Sequence, residues 1–476
     1  MSVFFKNISK DNPVKPVKTV RGKTPTIVMY LLQLADDHPR FIGSGPKKYL
    51  RENVRLPGPG EQDFGNAWVY RFRFQGENYP KGGNVSLKGK TVCVKDCISV
   101  AGVPLSFGSN AFPAWTPEAD ATIITRVLDA GADAAGTATC ENFCNSAASF
   151  TSAQGIIHKS YQTGYSAGGS TSGGAALVGS GSVDIALGTN QGGSIRVPAS
   201  FCECVGLKPA HGLVPFTGIA SCDPIDDHAG PICKSVMETA MTGLLALANM
   251  ALLDFPRHFN RVRDQVLAAA EKLARLGAVL EDVSIPLHLQ GPAVWTIQRR
   301  VSGSSGLLGG ATGRRSLGLT GLETARLPWS NSNFQKLFPS TKNTLINGLY
   351  LSAKFPGLYR KTLNIGRQIR DEYQCAFDKY DVIILPTTPF VAPRHADWKT
   401  VLESFEPTIG LTTKTAVLNV TGHPAMSIPV GFLSSADDQN VRLPVGMQID
   451  GRRRRCSWLD MPERQILTGA TSPEDN

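Results

Sequence analysis

The period of the apolar positions changes from segment to segment, and the changes predict strands alternating with helices. "KTVCVKDCISVAGVP" reads as a β-branched strand running into a loop, and "DATIITRVLDAGADAAG" carries apolar residues at helical spacing up to a stop at Gly131. "AALVGSGSVDIALGTNQGGSIRVPASF" predicts a small-residue helix, a short strand and a glycine loop. Further strands are expected at "AVLEDVSIP", "YDVIILPTTP", "AMSIPV" and "VGMQID", with helices over about 257–276 and 365–379. A helix over 24–36, with Thr24 as N-cap and Pro25 at its first position, precedes loop-like segments such as "RLPGPGEQDFG". The Gly/Ser-rich stretch "RRVSGSSGLLGGATGRRSLGLTGL" reads as a surface loop. Strands separated by helices argue for an α/β fold with the sheet covered on both faces, and no internal repeat is visible.

Composition narrows the class. A chain of 476 residues that is 42% hydrophobic is long enough to bury a large core. The net charge of +10 is concentrated in Arg452–Arg455 and in the N-terminal lysines. Such terminal runs read as solvated tails, and without a nucleic-acid-binding motif beside them they do not call for nucleic acid. The first residues hold no apolar run of signal-peptide length, and no stretch of about 18 apolar residues occurs, so a cytoplasmic protein with no membrane partner is expected. The ten cysteines include Cys93/Cys97, Cys140/Cys144 and Cys202/Cys204, but none of these pairs has CxxC spacing, so buried core thiols are expected rather than zinc ligands or disulfides.

The candidate chemistry centres on "GYSAGGSTSGG", residues 164–174. Its first five letters match the GxSxG nucleophile elbow, which would make Ser166 a nucleophile served by a histidine. The residues before Ser166 are polar and turn-like where an elbow needs a strand. A phosphate cradle is a second possibility, but Ala175 and Ala176 stand where a P-loop has its Lys-Ser/Thr pair. A third possibility joins three separated pieces: Lys95 in "VCVKDCISVAGVP", Ser170 in "AGGSTSGGAALVGSG" and Ser194 in "GTNQGGSIRVPASFCECVGLKP".

These three pieces resemble the amidase signature family, including the separation of 24 residues between Ser170 and Ser194. The resemblance resumes at "YDVIILPTTP", "NVTGHPAMSIPVGF" and "LPVGMQIDG". "CENFCNSAASFTS" and "HGLVPFTGIASCDPIDDHAGPI" are most similar to the broad-specificity branch associated with nitrile-degrading enzymes. It implies an α/β single-domain amidase-signature fold, a mixed β-sheet sandwiched between helical layers. It also implies an amidase that forms an acyl-serine intermediate with a Ser-Ser-Lys triad. Ser194 would attack, Ser170 would relay the proton and follow a cis peptide bond, and Lys95 would be the base. The substrate is expected to be a small-molecule amide, with no cofactor, no metal and a possible homodimer.

The chemistry is consistent with those residues. An amide needs an activated nucleophile, a proton for its amine and donors for the oxyanion. Lysine serves as a base only when neutral, so burial is expected to bring Lys95 down to about 7–8. The N–H groups of Gln191, Gly192, Gly193 and Ser194 are candidate oxyanion donors, and Cys144 falls where relatives line the acyl pocket.

Several positions depart from the family pattern. Thr171 follows Ser170 where relatives have a second serine. Asn190 stands where they have an aspartate paired with the arginine here numbered 196, which predicts an underpaired Arg196 and a loosened oxyanion loop. The chain also omits a stretch near 250–257 where relatives carry a strand. The expected organisation is therefore a helical or irregular segment over 1–85, an amidase domain over 86–455, and an atypical tail over 456–476. A serine esterase using Ser166, a catalytically weakened binding protein of the same fold and a component of a tRNA-dependent amidotransferase are the alternatives.

Overall fold

The computed structural model describes residues 52–61, 65–75, 87–236, 238–239, 250–253, 260–309, 319–395, 398–400, 403 and 406–453. All lie within the unit Pro46–Asn476. The helix expected over 24–36 and the tail over 456–476 fall outside the described residues.

In chain order the elements are β1 (Glu52–Arg55), β2 (Trp68–Gln75), β3 (Thr91–Lys95), α1 (Thr122–Asp129), β4 (Asp133–Ala138), β5 (His158–Lys159), β6 (Gln162–Ser166) and α2 (Ser172–Gly179). Next come β7 (Ile185–Asn190), α3 (Arg196–Phe201), β8 (Val205–Lys208), β9 (His228–Cys233), β10 (Met250–Leu253), α4 (Asn260–Arg275) and β11 (Leu280–Val283). They are followed by α5 (Gly291–Leu307), α6 (Thr320–Ala325), α7 (Asn331–Gln335), α8 (Pro339–Lys354), α9 (Leu358–Phe377), β12 (Val382–Pro386), α10 (Val417–Thr421), β13 (Ala425–Ser434) and β14 (Arg442–Gly451).

Twelve strands form one mixed sheet in the order β1-β2-β4-β3-β7-β9-β8-β13-β14-β12-β10-β11. β3 runs parallel to β4 and β7, while β7 is antiparallel to β9 and β13 to β14. Alternation along β3 sets the two faces. Val92 and Val94 pack with Ile123, Ile124 and Leu128 of α1 on one side, and Cys93 packs with α2 on the other. β12 alternates in the same way, with Ile383 and Leu385 in one core and Val382 and Ile384 in another. Burial on both faces explains the unbroken apolar run "VIIL".

Four expectations need correction. Residues 52–75 are not only irregular, since β1 and β2 extend the main sheet, with β2 pairing β4. The sheet is not broken near 250–257, because β10 lies parallel between β11 and β12. The Gly/Ser-rich segment starts as helix: α5 continues to Leu307, and its small residues let α8 come close. A Cβ at Gly348 of α8 would meet the Arg300 carbonyl and the Ser304 side chain. Glycine and serine here mark close helix approach rather than a loop. Finally, the helix expected from 365 begins at Leu358, after Gly357 in a left-handed conformation (φ +86°).

Candidate active site

Lys95 ends β3 on the face it shares with Cys93, two residues earlier, and is 1% exposed. Its Nζ donates to Ser170 Oγ at 2.8 Å and to Thr189 Oγ1 at 2.9 Å and the Thr189 carbonyl at 3.3 Å, both on the neighbouring strand β7. Only the carbonyl is obliged to accept; either hydroxyl could donate to a neutral amine instead. The adjacent Asp96 turns away, accepting from Ser106 Oγ (2.5 Å) and the backbone N–H groups of Ser106 and Gly108.

Thiols surround the amine. Burial works against the Lys95 charge, but Cys144, Cys97, Cys140 and Cys222 favour it, and the net effect holds its pKa above the ordinary value. This corrects the expectation that burial alone leaves it near neutrality. Burial raises Cys97 and Cys140 well above the ordinary thiol range and Cys222 to about 12, so these stay thiols at pH 7. Cys144 moves well below that range, through hydrogen bonds from Cys140 and Cys97, with Lys95 and Ser170 adding to the effect. Cys144 is thus the thiol able to carry negative charge beside Lys95, and with a neutral thiol in its place burial meets far less opposition.

Ser170 is fully buried and follows a cis Gly169–Ser170 peptide. The glycines around it permit close packing: a Cβ at Gly169 would meet the Glu141 side chain, and one at Gly173 the Ala67 carbonyl. Glu141 also accepts from Ser172 Oγ at 3.0 Å and Thr151 Oγ1 at 2.7 Å, and its carboxylate beside the start of α2 is unfavourable for a phosphate. Ser166 ends strand β6, so a short strand does precede it, contrary to the turn expected there. Its hydroxyl donates to the Ala148 carbonyl at 2.9 Å, accepts from the Gly168 N–H at 3.0 Å and touches Ser149 Oγ; no histidine bonds it. An elbow nucleophile needs that partner.

The segment 191–194 has a consistent polarity. Its carbonyls all point into the protein: Gln191 O accepts from Trp295 Nε1 (2.9 Å), Gly192 O from Thr415 Oγ1 (2.5 Å), Gly193 O from the Val197 N–H (2.8 Å) and Ser194 O from the Thr171 N–H (3.2 Å). The N–H groups of Gly192, Gly193 and Ser194 donate to no other protein group. The two glycines are required by crowding, since a Cβ at Gly192 would overlap the Trp295 indole and one at Gly193 would overlap Thr415 Oγ1. A cavity of about 190 Å³ opens on these N–H groups, with Cys144, Phe150, Trp295 and Phe338 in its wall. A smaller one reaches Ser170, Ser194 and Cys222. The Thr171–Ser194 bond sets the two serine loops side by side, although the two hydroxyls do not bond each other.

Asn190 does not leave this loop without support. Its Oδ1 accepts from the Ile195 N–H (3.0 Å) and its Nδ2 donates to Asn419 Oδ1 (3.0 Å), which also accepts from Arg196 (2.8 Å). Arg196, fully buried, donates further to Gln448 Oε1 (2.7 Å) and the Thr415 carbonyl (2.9 Å), leaving only Nε without a partner. Burial lowers its pKa to about 9, with Asp450 opposing. Amide and carbonyl acceptors therefore replace most of what the aspartate would supply, and the expected loosening has no counterpart in the bonding.

A family model described as Amidase matches residues 75–254 and 245–455, the two pieces meeting where β10 enters the sheet. The chain belongs to the amidase signature family. An enantioselective amidase of Rhodococcus rhodochrous is 35% identical over 418 residues, covering 79% of this chain and 78% of that protein. The amidase-type component of the Halothermothrix orenii glutamyl-tRNA(Gln) amidotransferase is 29% identical over 401 residues, covering 77% and 81%. A crystal structure of an amidase superposes with a TM-score of 0.61 at 26% identity, over 79% of this chain and 84% of that one. The family makes the chain a hydrolase acting on amide C–N bonds. Among the described residues no cluster suited to a metal ion occurs, and no helix is long and apolar enough to cross a membrane.

Sequence reasoning singled out Lys95, Cys144, Ser170 and 191–194, and they gather at one place. It missed Thr189, Trp295, Thr415 and Asn419, which hold the amine and the loop. Nothing in their local sequence marks them, because their roles arise from contacts up to 229 residues away along the chain.

Proposed function

We propose that the protein hydrolyses a small carboxamide to its carboxylic acid and ammonia or an amine through an acyl-Ser194 intermediate. Ser194 Oγ attacks the carbonyl carbon while its proton passes to Ser170 and the Ser170 proton to Lys95 Nζ. The N–H groups of the 191–194 loop receive the oxyanion, each such donor being worth about 2.7–4 kcal/mol in the transition state. On collapse the C–N bond breaks, and the proton returns through Ser170 to the departing nitrogen. Water then attacks the acyl-enzyme by the same relay, regenerating Ser194. The observation that carries this is the buried Lys95–Ser170 bond beside a loop whose carbonyls are all engaged and whose N–H groups face a cavity. The open Ser170–Ser194 gap accords with catalytic hydrogen bonds that close only with substrate bound.

The test combines ammonia release from an amide panel with fluorophosphonate labelling and peptide mapping, for the wild type beside Ser194→Ala and Lys95→Ala. Label on Ser194, and loss of hydrolysis in both variants, is expected. Label on Ser166, or undiminished hydrolysis by Ser194→Ala, overturns the assignment. A clean protein that takes no label and releases no ammonia would favour a binding protein instead.

A further inference from the structure

The cavity beside Ser194 is lined by two arginines and by no aspartate or glutamate. Arg299 lies one helical turn beyond Trp295 on α5, its guanidinium 5.8 Å from the indole centre, and Arg300 follows it. Both side chains are partly buried, and both turn to one neutral acceptor, Thr344 Oγ1, which takes Arg300 NH1 at 2.6 Å and Arg299 NH1 at 3.4 Å. Neither forms an ion pair with a carboxylate among the described residues. Burial lowers both, Arg300 to about 10 with Arg299 adding to the effect; Cys222, Cys144 and Asp227 act on Arg299 in the opposite sense. Two adjacent guanidinium groups, partly desolvated and unneutralised in the wall of a substrate cavity, are a costly arrangement unless a ligand completes it. The planar N–H fork matches a carboxylate, which would accept from both groups and neutralise one charge.

We propose that Arg299 and Arg300 form a carboxylate subsite, so that the preferred substrates are amides bearing a free carboxylate, such as the monoamide of a short dicarboxylic acid. This rests on the hydrolytic function proposed above. The charged end would sit against α5 and Thr344 while the amide reaches Ser194, and the arginines would act in binding and orientation rather than in proton transfer.

The experiment compares glutaramate with valeramide, a near-isosteric pair differing in the terminal charge. The wild type is expected to favour glutaramate at least tenfold in kcat/KM. That ratio should fall about tenfold or more in Arg299→Gln and Arg300→Gln, mainly through KM, and be partly retained in Arg300→Lys. Calorimetry of glutarate binding to Ser194→Ala reads the same site without turnover; binding is expected, weakened at least tenfold when Arg300→Gln is added. Hydrolysis of valeramide at least as fast as glutaramate, with no glutarate binding, overturns the carboxylate subsite and leaves the hydrolysis standing. Glutarate binding that depends on Arg300, with no amide hydrolysed, supports the subsite and overturns the hydrolysis. A glutarate affinity unchanged by both glutamine substitutions overturns the subsite as well.

Discussion

Gly192→Ala is the sharpest test of how the oxyanion loop is held. The new methyl would overlap the indole ring of Trp295, whose Nε1 donates to the Gln191 carbonyl at 2.9 Å. The ring cannot swing aside without breaking that bond. Overpacking costs about 1–3 kcal/mol, and the lost hydrogen bond about 0.5–1.5 kcal/mol, so a total of about 2–4 kcal/mol is expected. If this falls on the geometry of the N–H groups, kcat/KM should drop by roughly 30- to 1,000-fold, a decade per 1.36 kcal/mol. The discriminating assay is a double-mutant cycle with Trp295→Ala, measured in both kcat/KM and thermal stability. Trp295→Ala alone loses the anchor and harms activity. In its background the methyl of Gly192→Ala meets open space, so the second substitution should cost less than about 1 kcal/mol, giving a coupling of about 1–3 kcal/mol. Strict additivity would refute the reasoning, and so would a Gly192→Ala enzyme with wild-type turnover.

Other perturbations report on the electrostatics. Cys144→Ala removes the leading charge that raises Lys95, so the acid limb of kcat/KM against pH, which reports loss of the Lys95 proton in the free enzyme, should move to lower pH; an unmoved limb refutes the thiol–amine coupling. Burial raises Asp96 from 3.8 to about 7, so the folded state holds a proton that the unfolded chain has lost, and its contribution to stability disappears as pH rises through that interval. The span corresponds to about 4 kcal/mol; the stability difference between wild type and Asp96→Asn should fall with pH between about 4 and 7, and a pH-independent difference contradicts it. Asn190→Asp should lower the melting midpoint, by about 1–3 kcal/mol of lost stability, because its second oxygen would face the Asn419 oxygen that already accepts from Arg196; a rise in midpoint refutes this.

The site was legible where one residue type answers one chemical need within a short window. Lys95 at the end of a β-branched run, two glycines before Ser194 and the hydroxyls of the 164–174 stretch could all be named from the chain. The strands at Val382–Pro386 and Arg442–Gly451 announced themselves because burial on both faces demands unbroken apolar runs. Local composition misled where small residues had another use. The glycines and serines after Arg300 read as loop, yet they belong to a helix that a second helix approaches closely. The ambiguity is physical, because the lack of a side chain serves both a free backbone and a tight contact.

Asn190 shows why the remainder needed three dimensions. Taken alone, an amide in place of a carboxylate beside a buried arginine signals a lost ion pair. In the fold, Asn419 Oδ1 accepts from both Asn190 and Arg196, while its Nδ2 donates to the carbonyls of Asn190 (3.1 Å) and Asp226 (2.8 Å). That pair of donations fixes which end of Asn419 faces Arg196, since reversing the amide would set its donor against the guanidinium and its oxygen against two carbonyls. Asn190 must then present a donor, and an aspartate at this position could not. The substitution and its distant partner form one unit, joined across 229 residues of chain. A departure from the pattern at one position becomes a defect or an alternative solution according to what the fold sets opposite it, and here Asn419 stands opposite with its own orientation already determined.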